Sequence, residues 1–494
     1  MKSSKSRRAL AFDFGASSGR AMLGEISGDK IILQEIHRFS NDPVKICGTL
    51  YWDVLRLFYE IRQGLIKAKL AGGFDSVGID TWGVDFGLLD DEGRLIENPV
   101  HYRDSRTAGM IEESFKHIPR QRFYDITGNQ FMELNTVFQL LSIVKQRPHI
   151  FDRAQTMLLM PDLFNYLLTG VKSTEYTIAS TTQLLDAKNK TWSEEIVQAL
   201  GIPGRLLTQI AQSGTVIGKI SQELCEELDI PPADVIAVAS HDTQSAVVAI
   251  PSQEKDFVFL SCGTWSLMGT ELDAPLINDK SSEYNITNEG GAGNKTTFLK
   301  NIIGLWLIQE SRRQWQREGT DYSYAKLEEL ALSARPFESF IDPDAPDFVS
   351  PGNIPQRVRE FCRRTNQAVP ESVGEIMRCI YQSLAMKYRY SLEQIESCTE
   401  KTYPAIHVVG GGVKDRLLCQ MTADACGRQV IAGPIEATVL GNIAVQLMAS
   451  GEISGLTEAR RLIANSEKAT IYQPQEFEAW NKAYKRFKNI VKSN

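Results

Sequence analysis

A chain of 494 residues, 43% hydrophobic and 23% charged, holds more apolar content than one ordinary core uses and reads as two domains. Its net charge of −7 leaves no basic footprint for nucleic acid, and no run of about 18 apolar residues marks a membrane span. A small anionic substrate would need a local positive or dipolar site, to be sought in motifs.

The N-terminal MKSSKSRR has the charge of a signal-peptide n-region, but Asp13 interrupts the apolar stretch behind it. The expectation is a cytoplasmic chain. Strand-like and helix-like segments alternate from there on, the pattern of an α/β protein. Leu10 to Phe14 and Arg20 to Ile26 are strand candidates around a tight turn, a β-hairpin. Asp13 at the first strand's end could hold Mg²⁺ through its water shell. Gly15 to Gly19 are small enough for backbone N–H groups to face phosphate, Ser17 and Ser18 add hydroxyls, and Arg20 adds charge. A plain polar hairpin capped by Asp13 is the competing reading.

Ser76 to Phe86, with Asp80, Trp82, Gly83 and Asp85, precedes His101-Tyr-Arg-Asp-Ser-Arg106. Acidic and aromatic groups at a strand end suit a polyhydroxylated sugar, carboxylates for O–H and flat rings for C–H. Arg103-Asp104 reads equally as an internal ion pair. Gly214 to Lys219 imitates a P-loop but is one residue short, and Ile220 stands where a magnesium-binding hydroxyl belongs. No G-x-G-x-x-G follows a strand, and the protein-kinase H-R-D and D-F-G pair is absent. Val235 to Ala239 is an apolar strand running into Ser240-His241-Asp242-Thr243 and then an apolar helical segment. Asp242 there could accept a sugar hydroxyl's proton, with ordinary carboxylate basicity adequate for a loose phosphoryl-transfer transition state. Asp242 or Thr243 could also cap the helix, and both roles can coexist.

Pro251 to Asp256 is polar and marks the expected boundary, giving domains 1–250 and 251–494. Phe257 to Ser261, the turn 262–266 and Leu267 to Glu271 repeat the layout of the first hairpin, so two halves of similar architecture are expected. Pro343 to Pro355 reads as an irregular surface segment. Ile376, Ile380, Leu384, Tyr388, Leu392 and Ile395 share one face of a long buried helix. Trp480, Tyr484, Phe487 and Val491 form the apolar stripe of a closing helix docked on its own domain. Eight cysteines without C-x-x-C read as reduced, mostly buried thiols, and bridging Cys362 to Cys379 requires the fold to bring them together.

Taken in order, AFDFGASSGR (11–20), GIDTWGVDFGLLD (78–90), YRDSRT (102–107), VASHDTQSAV (238–247), LSCGTWSLMG (260–269), LKNIIGLWLIQ (299–309), HVVGGG (407–412) and GPIEATVLGNI (433–443) resemble the FGGY family of carbohydrate kinases over nearly the whole chain. Ala16 stands where the broad family usually has threonine. The resemblance implies two ribonuclease-H-like, actin-like ATPase domains with an interdomain active-site cleft. It implies ATP as donor, Mg²⁺ as cofactor, and the C1 hydroxyl of L-rhamnulose, or a related ketose or polyol such as fuculose or xylulose, as acceptor. Ala16, Ser17, Ser18, Gly19, Arg20, Thr264, Gln309 and Gly411 would bind ATP. Gly83, His241, Asp242, Thr243 and Asn301 would bind sugar, with Asp242 as the base and Asp13 toward the metal. Gly410 to Gly412 would let adenosine approach backbone, and Asn301 and Gln309, eight apart, would share one helical face. An actin-like ATP-driven clamp is the alternative from another class.

Overall fold

A computed structural model describes residues 7–492; residues 1–6 of the basic N-terminal stretch lie outside the described residues. The chain forms two compact units. The first comprises the described residues through Gln253 with Glu271–Phe298 and Glu436–Glu467, and the second comprises Glu254–Thr270, Leu299–Ile435 and the described residues from Lys468 on. Residues 251–256 are irregular. Beyond them two segments of the second half return to the first unit.

In the first unit, strands Ala9–Phe14 and Ser76–Thr81 are buried at every position, as central parallel strands covered on both faces must be. The sheet runs Thr215–Lys219, Asp234–Ala237, Ser76–Thr81, Ala9–Phe14, Ser18–Ser27, Lys30–Ser40. Ser76–Thr81 pairs in parallel with both Ala9–Phe14 and Asp234–Ala237, while Ser18–Ser27 turns back antiparallel through the expected hairpin. The P-loop lookalike is the edge strand Thr215–Lys219, antiparallel to Asp234–Ala237. Helix Ala437–Ala449 packs on Ala9–Phe14, on Ser76–Thr81 and on helix Asp242–Val248. Its Gly441 has no room for a side chain, because a Cβ would sit 1.8 Å from Ser245 O.

The second unit repeats the order. Thr470–Tyr472, Gln429–Ala432, Ala405–Val409, Val258–Cys262, Trp265–Leu272 and Thr296–Ile303 follow one another across its sheet. The last two of the three parallel strands and the antiparallel hairpin partner fall in the same relation as in the first unit. The faint sequence repeat is therefore a repeat of topology. The long helix is Val373–Thr399, started by a capping box of Ser372 and Glu375, and the six residues of its predicted face are all buried. Helix Phe477–Lys492 docks on its own unit through Trp480, Tyr484 and Phe487, with the Trp480 ring 5.1 Å from Phe337.

The segment expected to be irregular and on the surface is only partly so. Phe348 is fully buried and its carbonyl accepts from Trp306 Nε1, while a helix already begins at Ile354 with Pro355 in its first turn. Six of the eight cysteines are buried and all are free. Cys362 and Cys379 are hydrogen-bonded neighbours, unbridged.

Candidate active site

The parallel strands of the first unit deliver their C-terminal ends side by side. Asp13 and Asp80 are direct register partners, and a parallel bridge from Thr81 to His241 carries the third strand's chain to the same level. Asp13, Asp80 and the triplet His241-Asp242-Thr243 thus converge because each ends a buried strand, the usual place for reacting groups in α/β proteins.

In the hairpin turn Gly15 N–H closes on Ser18 O at 2.9 Å, leaving Ser17 and Ser18 exposed and Ala16 half-buried. Gly19 is required by packing, since a Cβ there would lie 2.3 Å from the Phe39 ring. Arg20 donates to Asp13 Oδ2 from Nε at 3.0 Å and from Nη2 at 2.8 Å, and its Nη1 pairs with Glu436. Burial works to lower the guanidinium's pKa, but the two carboxylates outweigh it and hold it raised. The charge foreseen for phosphate is thus anchored between two acids.

Asp80 is fully buried. Burial drives its carboxyl well above the usual range, repulsion from Asp13 and Asp242 adds to the rise, and the amide of Asn442 opposes it. Asp80 Oδ1 has no hydrogen-bond partner.

Asp242 opens helix Asp242–Val248, whose N-cap residue is His241. Its Oδ1 accepts from Thr243 N at 2.6 Å and from Thr243 Oγ1 at 3.2 Å. The side chain keeps 30% of its surface open. Burial pushes its pKa up to about 6, against the pull of His241 and with added repulsion from Asp13. Its carboxylate thus titrates nearer neutrality than the ordinary value that a loose phosphoryl-transfer transition state would accept. His241 lies 3.5 Å from Asp242 through Nε2 and 3.1 Å from Glu289 through Nδ1. Burial disfavours its charge, but Glu289 and Asp242 together hold its pKa raised. Glu289 accepts in turn from Gln244, and buried Glu175 fixes the approach by accepting from Ser240 N at 3.2 Å.

Gly83 is half-buried against Thr181, which lies 3.2 Å from where its Cβ would be. The next residue, Val84, adopts φ 69°, a strained choice for a β-branched side chain. Thr181 Oγ1 accepts from Val84 N, and Thr136 Oγ1 donates to Val84 O, which holds it there. The aromatic wall exists: Trp52 lies 4.1 Å from Trp82 and stacks on His101 at 4.2 Å. Burial, with Arg103 nearby, brings His101 down to about 3, so it is neutral. The expectation that Asp85 offers its carboxylate to sugar hydroxyls is corrected. Its oxygens already accept from Trp52 Nε1, Trp82 Nε1, Tyr102 N and Gln139 Nε2, so Asp85 orients the wall. Asp104 likewise accepts from the backbone of Leu50 and Arg106.

In the second unit Thr264 sits in the turn between Val258–Cys262 and Trp265–Leu272. Its carbonyl accepts from Gly304 and Trp306 N–H, and its hydroxyl lies 3.3 Å from Gln309 Oε1 on helix Trp306–Arg317. Asn301 is not on that helix. It belongs to strand Thr296–Ile303, because β-branched Thr296, Thr297, Ile302 and Ile303 favour extended chain and Gly304 separates them from the helix. Of the three glycines after Ala405–Val409, Gly410 has φ 84° and Gly412 would place a Cβ 2.3 Å from Cys262 Sγ. Gly411 alone is exposed, with nothing within 4 Å of its Cβ position.

Residues 8–249 and 258–450 match the N-terminal and C-terminal domains of the FGGY family of carbohydrate kinases. The chain belongs to that family. The kinase is 42% identical to a rhamnulokinase of Bacteroides thetaiotaomicron over 98% of this chain and 99% of the relative. It is 44% identical to a rhamnulokinase of Halalkalibacterium halodurans over 93% of this chain and 97% of the relative. Among solved structures it resembles a ligand-bound xylulose kinase from Lactobacillus acidophilus, with TM-score 0.82, 17% identity and coverage of 99% of this chain and 98% of that one. It also resembles Plasmodium falciparum glycerol kinase with ADP, with TM-score 0.77, 14% identity and coverage of 99% and 98%. Its fold is the actin-like ATPase fold, and it is a sugar kinase that uses ATP.

Kinases of this family use ATP with a divalent metal. The strand-end carboxylates suit a hard cation: Asp13, Asp80 and Asp242 repel one another, and Asp80 Oδ1 is an orphaned buried acceptor. Among the described residues no group of three acidic, histidine or cysteine side chains is placed to hold one metal ion.

The sequence offered Asp80 only among the acidic groups suited to sugar, and gave no role to Glu289, Glu436 or Asn442. Glu436 and Asn442 lie inside the motif 433–443, which marked the place without the role.

Proposed function

We propose that the chain transfers the γ-phosphoryl group of ATP to the C1 hydroxyl of L-rhamnulose, giving L-rhamnulose 1-phosphate and ADP, in the cytoplasm. The near-full-length likeness to rhamnulokinases supports this acceptor. The observation that carries the chemistry is Asp242, a carboxylate at a strand end with its pKa raised to about 6.

In this reading the C1 oxygen attacks the γ-phosphorus as Asp242 takes the hydroxyl proton, and the bond from phosphorus to the bridging oxygen breaks with its electron pair leaving on ADP. His241 keeps Asp242 ionised, Thr243 fixes the orientation of its carboxylate, and Gly83 and Asn301 contact the sugar. Ala16, Ser17, Ser18, Gly19 and Arg20 turn toward phosphate, and Thr264, Gln309 and Gly411 hold the nucleotide. Sugar binding falls mainly to 1–250, which also carries the first phosphate loop, and nucleotide binding mainly to 251–494, with Glu436 and Asn442 lent to the first unit. Mg²⁺ would be held through water by Asp13 and Asp80, where it would neutralise phosphate charge.

ADP release measured with L-rhamnulose, L-fuculose, D-xylulose, glycerol and aldoses tests the reading. Turnover greatest with L-rhamnulose supports it. Equal turnover without any sugar, or a preference for another acceptor, overturns it.

A further inference from the structure

The loops that carry Thr264 and Gly411 leave neighbouring strands at the same end. Val258–Cys262 and Ala405–Val409 pair in parallel with Ser261 beside Val409, so the turn 262–266 and the segment 410–415 emerge side by side. They touch at Cys262. A Cβ on Gly410 would lie 3.4 Å from the Cys262 carbonyl oxygen, and one on Gly412 would lie 2.3 Å from its Sγ. A ligand held by both loops is sensitive to any change in their spacing.

Helix Val373–Thr399 sends a side chain to each loop. Tyr381 Oη donates to Asp415 Oδ2 at 2.9 Å, and Asp415 Oδ1 accepts from Leu418 N at 2.9 Å, capping helix Arg416–Cys426 where it leaves the glycine loop. Asp415 N donates to Gly412 O at 3.0 Å. On the other loop, Tyr388 Oη and Ser266 Oγ share a hydrogen bond of 2.8 Å. Ser266 backs directly on Gly304, where a Cβ would lie 2.3 Å from its Oγ, and Gly304 N–H donates to Thr264 O at 3.3 Å.

Tyr381 and Tyr388 are seven residues apart and so stand two turns apart on one face of a stiff helix. Both are fully buried, and burial raises the pKa of each hydroxyl, which keeps both protonated. Packing of the helix asks only for the two rings. It is the hydroxyls that reach the loops.

We propose that Tyr381 and Tyr388 are positioning residues for the nucleotide: acting through Asp415 and Ser266, their hydroxyls fix the distance between the Thr264 turn and the Gly411 loop. This rests on the reading in which Thr264 and Gly411 hold the nucleotide.

Calorimetric titration of the full chain with ADP, together with KM for ATP and for L-rhamnulose, is the test. Tyr381→Phe and Tyr388→Phe keep the ring and lose the hydroxyl. Each should raise the ADP Kd and the KM for ATP about three- to tenfold, with KM for L-rhamnulose unchanged. Ser266→Ala removes the other end of the second bond and should match Tyr388→Phe, and the double variant should be no worse than either. Tyr484→Phe is the control. It removes a buried hydroxyl bonded at 2.8 Å to Glu393 of the same helix and should leave the ADP Kd within about twofold of the native value. Native ADP affinity in both tyrosine variants overturns the proposal. An equal loss in Tyr484→Phe, or a parallel rise in KM for L-rhamnulose, does so too, because either means a general loosening of the unit. Gly411→Ala tells the two levels apart: if it weakens ADP binding and the tyrosine variants do not, the positioning role alone falls, and if none of the three does, the nucleotide assignment falls with it.

Discussion

Asn442 Nδ2 donates to Asp80 Oδ2 at 2.5 Å, joining two residues 362 positions apart in the chain. The bond ties helix Ala437–Ala449 to the strand end between Asp13 and Asp242. Asn442→Ala leaves Asp80 without that donor and should cost about 2 kcal/mol in urea unfolding followed by circular dichroism. The carboxyl of Asp80 is raised in the folded state, so stability from it is present at low pH and is lost as pH rises from the unfolded value toward the folded one. Losing Asn442 raises it further, and the deficit should widen with pH. A deficit that does not change with pH would contradict this account.

Asp242→Asn keeps an oxygen for Thr243 N–H but no longer takes a proton. The variant should fold and bind sugar while kcat falls about 10²–10⁴-fold. The native enzyme should lose activity below an apparent pKa near 6, as protonation fills the base, and gain it above. Near-native turnover in the variant would remove Asp242 from the base role.

Glu289→Gln tests the link through His241. Glu289 holds the His241 pKa up, and charged His241 holds the Asp242 pKa down. Removing the carboxylate should lower the first and raise the second, moving the acid limb of the kcat profile upward from about 6. NMR titration of His241 should show the matching fall. A limb that stays in place while the histidine shifts would uncouple the two.

The hairpin, the strand before His241, the long helix and the topological repeat were legible because each rests on local pattern: alternation, a glycine turn, or a 3.6-residue period. Asn301 was misplaced because two elements fall within nine residues, and the break at Gly304 depends on its backbone lying against Ser266, a contact with no local signal. Asp85 looked like a sugar ligand from composition, and only the converging Trp52, Trp82 and Gln139 donors disclose its positioning role. Glu436 and Asn442 were illegible as site residues because their partners Arg20 and Asp80 lie hundreds of residues upstream.

Gly441→Ala tests how closely the helix carrying Asp242 must be approached. The added methyl would meet backbone of Ser245 at 1.8 Å, which no side-chain rotation relieves. Helices Asp242–Val248 and Ala437–Ala449 must separate, at a cost of about 1–3 kcal/mol by thermal unfolding. Because Asp242 sits on the displaced helix, kcat should fall as well. Unchanged stability would mean that the two helices are not held at this distance in solution.

The glycine loop separates packing from binding within two residues. Gly412→Ala drives a methyl into Cys262 Sγ at 2.3 Å, so it should lower stability by about 1–3 kcal/mol. Gly411→Ala meets nothing within 4 Å, and Gly411 is not among the glycines that need positive φ. Its stability should stay within about 0.5 kcal/mol of the native enzyme. If nucleotide passes over this backbone, the same methyl occupies the nucleotide's space, and KM for ATP should rise about tenfold with KM for sugar unchanged. A Gly411→Ala enzyme with native KM for ATP would place the nucleotide elsewhere, while a loss of stability would show that the open space is filled by the chain itself.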